Sequence, residues 1–227
     1  MTKELSKRLI TSLFLIIILA LTFLYPYILI ISLIIISLIS WIEFYGLIFK
    51  IFTKNKLRTK FLKVLIKTIS LLYLILFSVI IFKGIFQFEP NFKLNMLYLF
   101  CVCICSDVGG LIFGKTFKGR KLTKISPNKT ISGCIGSFVL SLILVPIFYY
   151  FLPEKTISPF ELIIISIIVS FICQLGDLFI SLLKRKAKVK DTGDLLPGHG
   201  GLLDRIDGIL FAVPVGVLLW GLIPMII

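Results

Sequence analysis

Among 227 residues there is one histidine, His199, and only 11 Asp and Glu stand against 25 Lys and Arg. A mechanism built on a histidine base or nucleophile would rest entirely on that side chain. Alternating apolar and polar segments are missing, which excludes a membrane β-barrel, whose strands change face at every residue. No internal repeat is visible, which argues against an inverted-repeat transporter. No polar stretch is long enough for a soluble domain. The cysteines are few: Cys101, Cys103, Cys105, Cys134 and Cys173 lie in or beside apolar runs. CVCIC is not a zinc spacing; on a helix Cys101 and Cys105 share a face and Cys103 points away. They read as small packing residues.

What is abundant is apolar length. The chain is 58% hydrophobic, with mean hydropathy +1.08, far above a soluble domain. The expected fold is all-α, a polytopic membrane bundle. Seven spans fit: about Leu9–Tyr25, Tyr27–Phe49, Thr68–Phe86, Leu94–Phe113, Ile131–Leu152, Phe160–Leu183 and Ile206–Ile226. Each approaches the ~20 residues that cross a bilayer. The first is the shortest and follows MTKELSKR, so a cleaved signal peptide competes with it. No small-x-small site precedes Pro26, which favours a retained span.

Charge supplies an orientation. With a cytoplasmic N-terminus and seven crossings, 22 of the 25 basic residues fall on the cytoplasmic side, in groups at 3–8, 50–67, 115–129 and 184–205. Only Lys83, Lys93 and Lys155 fall outside. That is the positive-inside pattern. The net charge of +14 is then topology plus attraction to anionic lipid, about 1 kcal/mol per surface cation, and no nucleic-acid partner is expected. The expected location is the cell (inner) membrane, multi-pass, with the polar site cytoplasmic. Two regions are expected: N-terminal helices over residues 1–93 and a site-bearing region over 94–227.

Three acids lie away from the ends of spans, where charge is costly and usually functional. Glu43, in WIEFYGL, reads as a helix-packing or interfacial carboxylate. Asp107 precedes Gly109, Gly110 and Gly114, which admit a helix or ligand close to the backbone. Asp177 lies on a stripe of Gln174, Asp177, Ser181 and Lys184, spaced by three and four. Between the fourth and fifth spans, SPNKT ends an irregular basic stretch. A helix start there, with Ser126 and Lys129 beside it, would suit a phosphate; an ordinary positive-inside loop is the alternative.

The densest polar segment is 181–207, SLLKRKAKVKDTGDLLPGHGGLLDRID. Hydrocarbon cannot solvate it, so it belongs at the membrane surface. Lys184 and Arg185 could clamp a lipid phosphate. Pro197, Gly198, Gly200 and Gly201 imply a sharp bend. Asp204 and Asp207 are three apart on one helical face, an arrangement that suits Mg²⁺ bridging phosphates.

With these residues in view the chain resembles the phosphatidate cytidylyltransferase (CDP-diacylglycerol synthase) family. The pattern comprises Ser181, Lys184, Arg185, Lys190, Asp191, Pro197 to Gly201, Asp204, Arg205 and Asp207. The Asp107 run, SPNKT and QLGD add to it, over roughly the C-terminal 130 residues; in the N-terminal spans only WIEF does. Two departures stand out: Ser132 and Ile180 replace carboxylates common in the family. The resemblance implies cytidylyl transfer from CTP to phosphatidate with Mg²⁺, and leaves open a second, monovalent cation. It implies Lys184, Arg185, Asp191, Asp204 and Asp207 as catalytic. Ser126, Lys129, Ser181, Lys190 and Arg205 would bind substrate. Asp204 and Asp207 would hold metal, with Asp191, Asp177 or Asp107. Membrane lipid surrounds such a protein, and association into a homodimer is an expectation from resemblance. A CTP-dependent lipid kinase is the nearest rival, separable by which phosphate is transferred. A transporter is the rival from another class.

Overall fold

A computed structural model describes residues 17–53, 57–86, 90–127, 129–151, 157–195 and 200–226. The described residues are helical with short connections. The helices are α1 (17–24), α2 (Pro26–Ile51), α3 (Leu57–Phe86), α4 (Pro90–Phe117), α5 (Ile131–Phe151), α6 (Pro159–Lys186) and α7 (Leu203–Ile226). Six of them, α2 to α7, are long and apolar enough to cross a membrane. The helical bundle expected from the apolar runs is the architecture found. For the first expected span only α1 is described; residues 1–16 lie outside the described residues.

Helix starts follow local chemistry. Pro26 and Pro159 open α2 and α6, where a missing N–H costs nothing. Ser158 and Glu161 form a reciprocal capping box: Ser158 N–H donates to Glu161 Oε2 at 2.5 Å, and Glu161 N–H donates to Ser158 Oγ at 3.3 Å, satisfying two orphan donors. Thr130 caps α5, its Oγ1 accepting Gly133 N–H at 3.1 Å. At the end of α6, Lys188 takes a left-handed φ of 56°. Its N–H donates to Arg185 O at 3.1 Å and Val189 N–H to Lys184 O at 3.0 Å. That is a Schellman cap with lysine where glycine is usual.

The chain divides into two compact units. The first comprises Met1–Gln87 and Leu183–Ile206, the second Phe88–Leu182 and Asp207–Ile227. In the first, α2 and α3 pair through Ser37 and Ser78, whose hydroxyls lie 2.9 Å apart. Trp41 Nε1 donates to Lys67 O at 3.1 Å. Lys67 Nζ lies 4.8 Å and 4.9 Å from the Trp41 and Tyr45 ring centres, and Lys63 Nζ lies 4.4 Å from that of Phe49. These contacts explain why α3 starts at Leu57, not near Thr68: the lysines lay their stems and charges on α2 aromatics. Opposite the buried Leu29, Leu33, Ser40 and Leu47, α2 exposes Ile31, Ile34, Ile35, Leu38 and Ile42, a stripe at helical spacing suited to lipid.

In the second unit, α4 and α5 approach through small residues. A Cβ on Gly133 would lie 2.7 Å from Gly110 O; Gly109 and Gly136 are as tightly opposed. This is small-residue packing of membrane helices. Buried hydroxyls tie the helices laterally. Ser137 donates to Ser106 O at 2.6 Å, Ser106 and Ser170 hydroxyls lie 2.9 Å apart, and Tyr98 and Ser166 hydroxyls 2.5 Å apart. Below them Tyr98, Phe148 and Trp220 cluster, with centroids 4.2 to 6.2 Å apart.

Candidate active site

The first unit gathers its polar groups at the start of α7. Asp204 sits in the first turn, where a carboxylate opposes the positive helix end. Its Oδ1 accepts Lys184 Nζ at 2.7 Å. Its Oδ2 accepts Thr192 N–H at 2.8 Å and Gly201 N–H at 3.3 Å, and faces Thr192 Oγ1 at 3.0 Å. The pair is largely shielded, with side-chain exposures of 14% for Lys184 and 7% for Asp204. Glu43 of α2 meets the same turn. Its Oε1 accepts Leu202 N–H at 3.0 Å; its Oε2 accepts Leu203 N–H at 2.9 Å and Thr192 Oγ1–H at 2.8 Å. Two helix-start amides that no helical carbonyl can reach thus find an acceptor.

Glycine is needed where the loop crosses these carboxylates. A Cβ on Gly193 would lie 2.6 Å from Glu43 Oε1, and one on Gly201 2.6 Å from Glu43 Oε2. Gly200 has φ +80°, which other residues rarely adopt.

The second unit holds a separate acid–base group. The 118–130 loop folds back on itself: Leu122 N–H donates to Lys129 O at 2.8 Å and Ile131 N–H to Arg120 O at 2.9 Å. Lys129 N–H donates to Ser126 O at 3.1 Å, a turn with Pro127 in second place, its preferred position. This aims Lys129 Nζ at Asp177 Oδ2, 2.5 Å away. Ser181 Oγ donates to the other oxygen, Asp177 Oδ1, at 3.3 Å. Side-chain exposures are 24% for Lys129 and 31% for Asp177. Nearby, Cys173 Sγ lies 3.8 Å from Asp107 Oδ1. Gly176 and Gly208 let α6 and α7 meet there: a Cβ on Gly176 would lie 2.6 Å from Asp207 O. Asp207 Oδ1 accepts Gly208 N–H at 2.9 Å.

The two lysine–aspartate pairs stand among apolar helices of membrane-spanning length. The sequence profile of the Cytidylyltransferase family matches residues 1–223. The chain belongs to that family. Three similar proteins bear the name phosphatidate cytidylyltransferase. That of Rickettsia felis is 48% identical over 134 residues, 56% of this chain and 58% of that protein. That of Staphylococcus haemolyticus is 47% identical over 120 residues, 52% and 46% respectively. That of Bacillus subtilis is 44% identical over 126 residues, 55% and 46%. The chain thus spans about half the length of the curated relatives it matches.

The site residues expected from the sequence are placed as follows. Lys184 and Asp204 meet in the first unit. Arg185, Lys190, Asp191 and Arg205 are exposed there, and the side chain of Asp191 lies against Gly200. In the second unit Lys129, Asp177 and Ser181 meet, Ser126 shapes the Lys129 turn, Asp107 lies against Cys173, and Asp207 accepts Gly208 N–H. Gln174, on the same stripe as Asp177, has a buried Nε2 without a hydrogen-bond partner among the described residues. Residues 196–199, including Pro197 and His199, lie outside the described residues. Among those described, no three His, Cys, Asp or Glu side chains come together as ligands.

The helix start at Ile131 differs from the expected anion site. Arg120 O takes the amide of Ile131, Thr130 Oγ1 that of Gly133 and Thr130 O that of Cys134. The chain's own oxygens already fill the places offered to a phosphate. Sequence reasoning also missed Thr192 and the use made of Glu43. WIEF was the available signal, since a carboxylate so near a membrane surface needs donors.

Proposed function

We propose that this protein transfers the cytidylyl group of CTP to phosphatidate, giving CDP-diacylglycerol and pyrophosphate. Family membership and the names of its relatives support the reading. The observation that carries it is the shielded cluster of Lys184, Asp204 and Thr192, built from signature residues at the ends of two membrane-length helices.

A phosphate monoester is already anionic near neutral pH, so no histidine base is needed. An oxygen of the lipid phosphate attacks the α-phosphorus of CTP. The bond to the β-phosphate oxygen breaks, and its electron pair leaves with pyrophosphate. Catalysis of such a displacement is chiefly alignment and charge neutralisation. Arg185 and Arg205 are exposed cations suited to a bidentate phosphate grip; Lys190 adds charge, and Lys184 holds the loop through Asp204. Lys129 and Ser126 serve the nucleotide, with Lys129 exchanging Asp177 for a phosphate oxygen. Ser181 orients Asp177.

Mg²⁺ is the expected cofactor, and the donors present fit it. Asp107 and Asp207 supply hard carboxylate oxygens in the second unit, Asp107 Oδ1 lying 3.8 Å from Cys173 Sγ. Mg²⁺ commonly takes one or two carboxylates plus substrate phosphates, not a full protein cage. When bound it would neutralise phosphate charge. Asp204 already accepts a lysine and backbone amides, and is the less available ligand. The bias of basic residues toward one set of helix ends supports a site on the cytoplasmic face of the cell membrane.

The test is purified protein in detergent with phosphatidate, Mg²⁺ and CTP labelled at the α- and γ-phosphates. The α label should enter the lipid and the γ label leave as pyrophosphate. Entry of the γ label into a lipid alcohol would overturn the reading in favour of a kinase.

A further inference from the structure

Glu43 lies far from the signature in sequence, 149 residues from Thr192 and 160 from Leu203. It is nevertheless the residue on which that segment closes. It is 9% exposed, so its charge depends on protein donors for solvation. Those donors are two amides of the α7 start and the Thr192 hydroxyl. A carboxylate at a helix N-terminus is favoured by both the free N–H groups and the dipole. Gly193 and Gly201 leave no room for a side chain over it, so the loop rests directly on the carboxylate.

Thr192 extends the link. Its hydroxyl lies 2.8 Å from Glu43 Oε2 and 3.0 Å from Asp204 Oδ2, and its backbone N–H donates to Asp204 Oδ2 at 2.8 Å. The hydroxyl has one proton to give, and the backbone N–H already serves Asp204. The free hydroxyl proton therefore belongs to Glu43. Asp204 in turn holds Lys184. A chain of contacts runs from Glu43 through Thr192 to the Lys184–Asp204 pair.

We propose that Glu43 is a positioning residue for the transfer reaction: it fixes the α7 start and Thr192, and through them Lys184. The proposal rests on the functional reading above. A packing carboxylate would need only solvation; this one accepts both from Thr192 and from the start of α7.

The experiment uses the full chain in detergent, with Glu43→Gln, Thr192→Val, Thr192→Ser and the double variant Glu43→Gln/Thr192→Val. Glu43→Gln should lower kcat roughly 10- to 100-fold, the scale of a small misplacement, while KM for CTP changes little. Thr192→Val should lower kcat less, Thr192→Ser should restore it, and the double variant should be no worse than Glu43→Gln alone. Amide hydrogen exchange gives a readout independent of turnover: Leu202 and Leu203 should lose protection in Glu43→Gln. Wild-type kcat in Glu43→Gln, or effects of the two substitutions that multiply, would overturn the proposal. So would unchanged exchange at Leu202 and Leu203. If wild type itself moves no α label, the functional reading falls, and the exchange result still decides whether Glu43 holds the loop.

Discussion

Asp204 and Asp177 are each paired with a lysine, and they are held in opposite ways. Asp204 is 7% exposed and accepts Lys184 and two backbone amides, with Thr192 Oγ1 also 3.0 Å away. Asp177 is 31% exposed and accepts Lys129 and Ser181. The first carboxylate cannot change partners without stranding several donors away from water, at a cost of about 1–3 kcal/mol for each. The second can exchange Lys129 for water or a phosphate at little cost, because a partly exposed ion pair contributes about 0–1 kcal/mol. The contrast separates architecture from chemistry. The Lys184–Asp204 group builds the loop; the Lys129–Asp177 pair keeps a cation ready for an incoming anion.

Asp204→Ala should break the contrast most severely. It strands the Lys184 ammonium and the Thr192 and Gly201 amides, and should destabilise the protein by about 3–5 kcal/mol, read as a fall in unfolding midpoint in detergent. Gly201→Ala comes next. Its Cβ would meet Thr192 Oγ1 and lie 2.6 Å from Glu43 Oε2, an overpacking cost of about 1–3 kcal/mol. Its transfer rate should fall with its midpoint. Asp177→Asn should be mildest, within about 1 kcal/mol of wild type in stability. It should raise KM for CTP, because Lys129 loses the anion that aims it. A midpoint for Asp177→Asn as low as that of Asp204→Ala would erase the distinction.

The helices were legible because apolar length and the positive-inside bias are chain-wide signals. The start of α3 was not. Hydropathy counts Lys63 and Lys67 as loop, whereas their stems and charges lie over Phe49, Trp41 and Tyr45. The signature acids and bases were legible as a group, and the particular pairings were not. Lys184 with Asp204 and Lys129 with Asp177 depend on how helices return, which spacing along one helix cannot specify. Glu43 was harder still. Its partners include the backbone amides of Leu202 and Leu203, and an amide leaves no trace in residue identity. The serines of α4, α5 and α6 were silent for a related reason: inside an apolar run a serine looks like any small residue until Ser106 meets Ser170.

The most direct measurement sets Lys129→Gln beside Lys184→Gln, taking unfolding midpoint and kcat/KM for cytidylyl transfer from each preparation in one detergent. Lys129→Gln should keep the wild-type midpoint and lose roughly 10- to 100-fold in kcat/KM, the worth of one hydrogen bond to a charged group. Lys184→Gln should lose both stability and transfer. Equal losses of stability in the two variants, or full activity in Lys129→Gln, would contradict the division between a lysine that builds the loop and a lysine that serves the substrate.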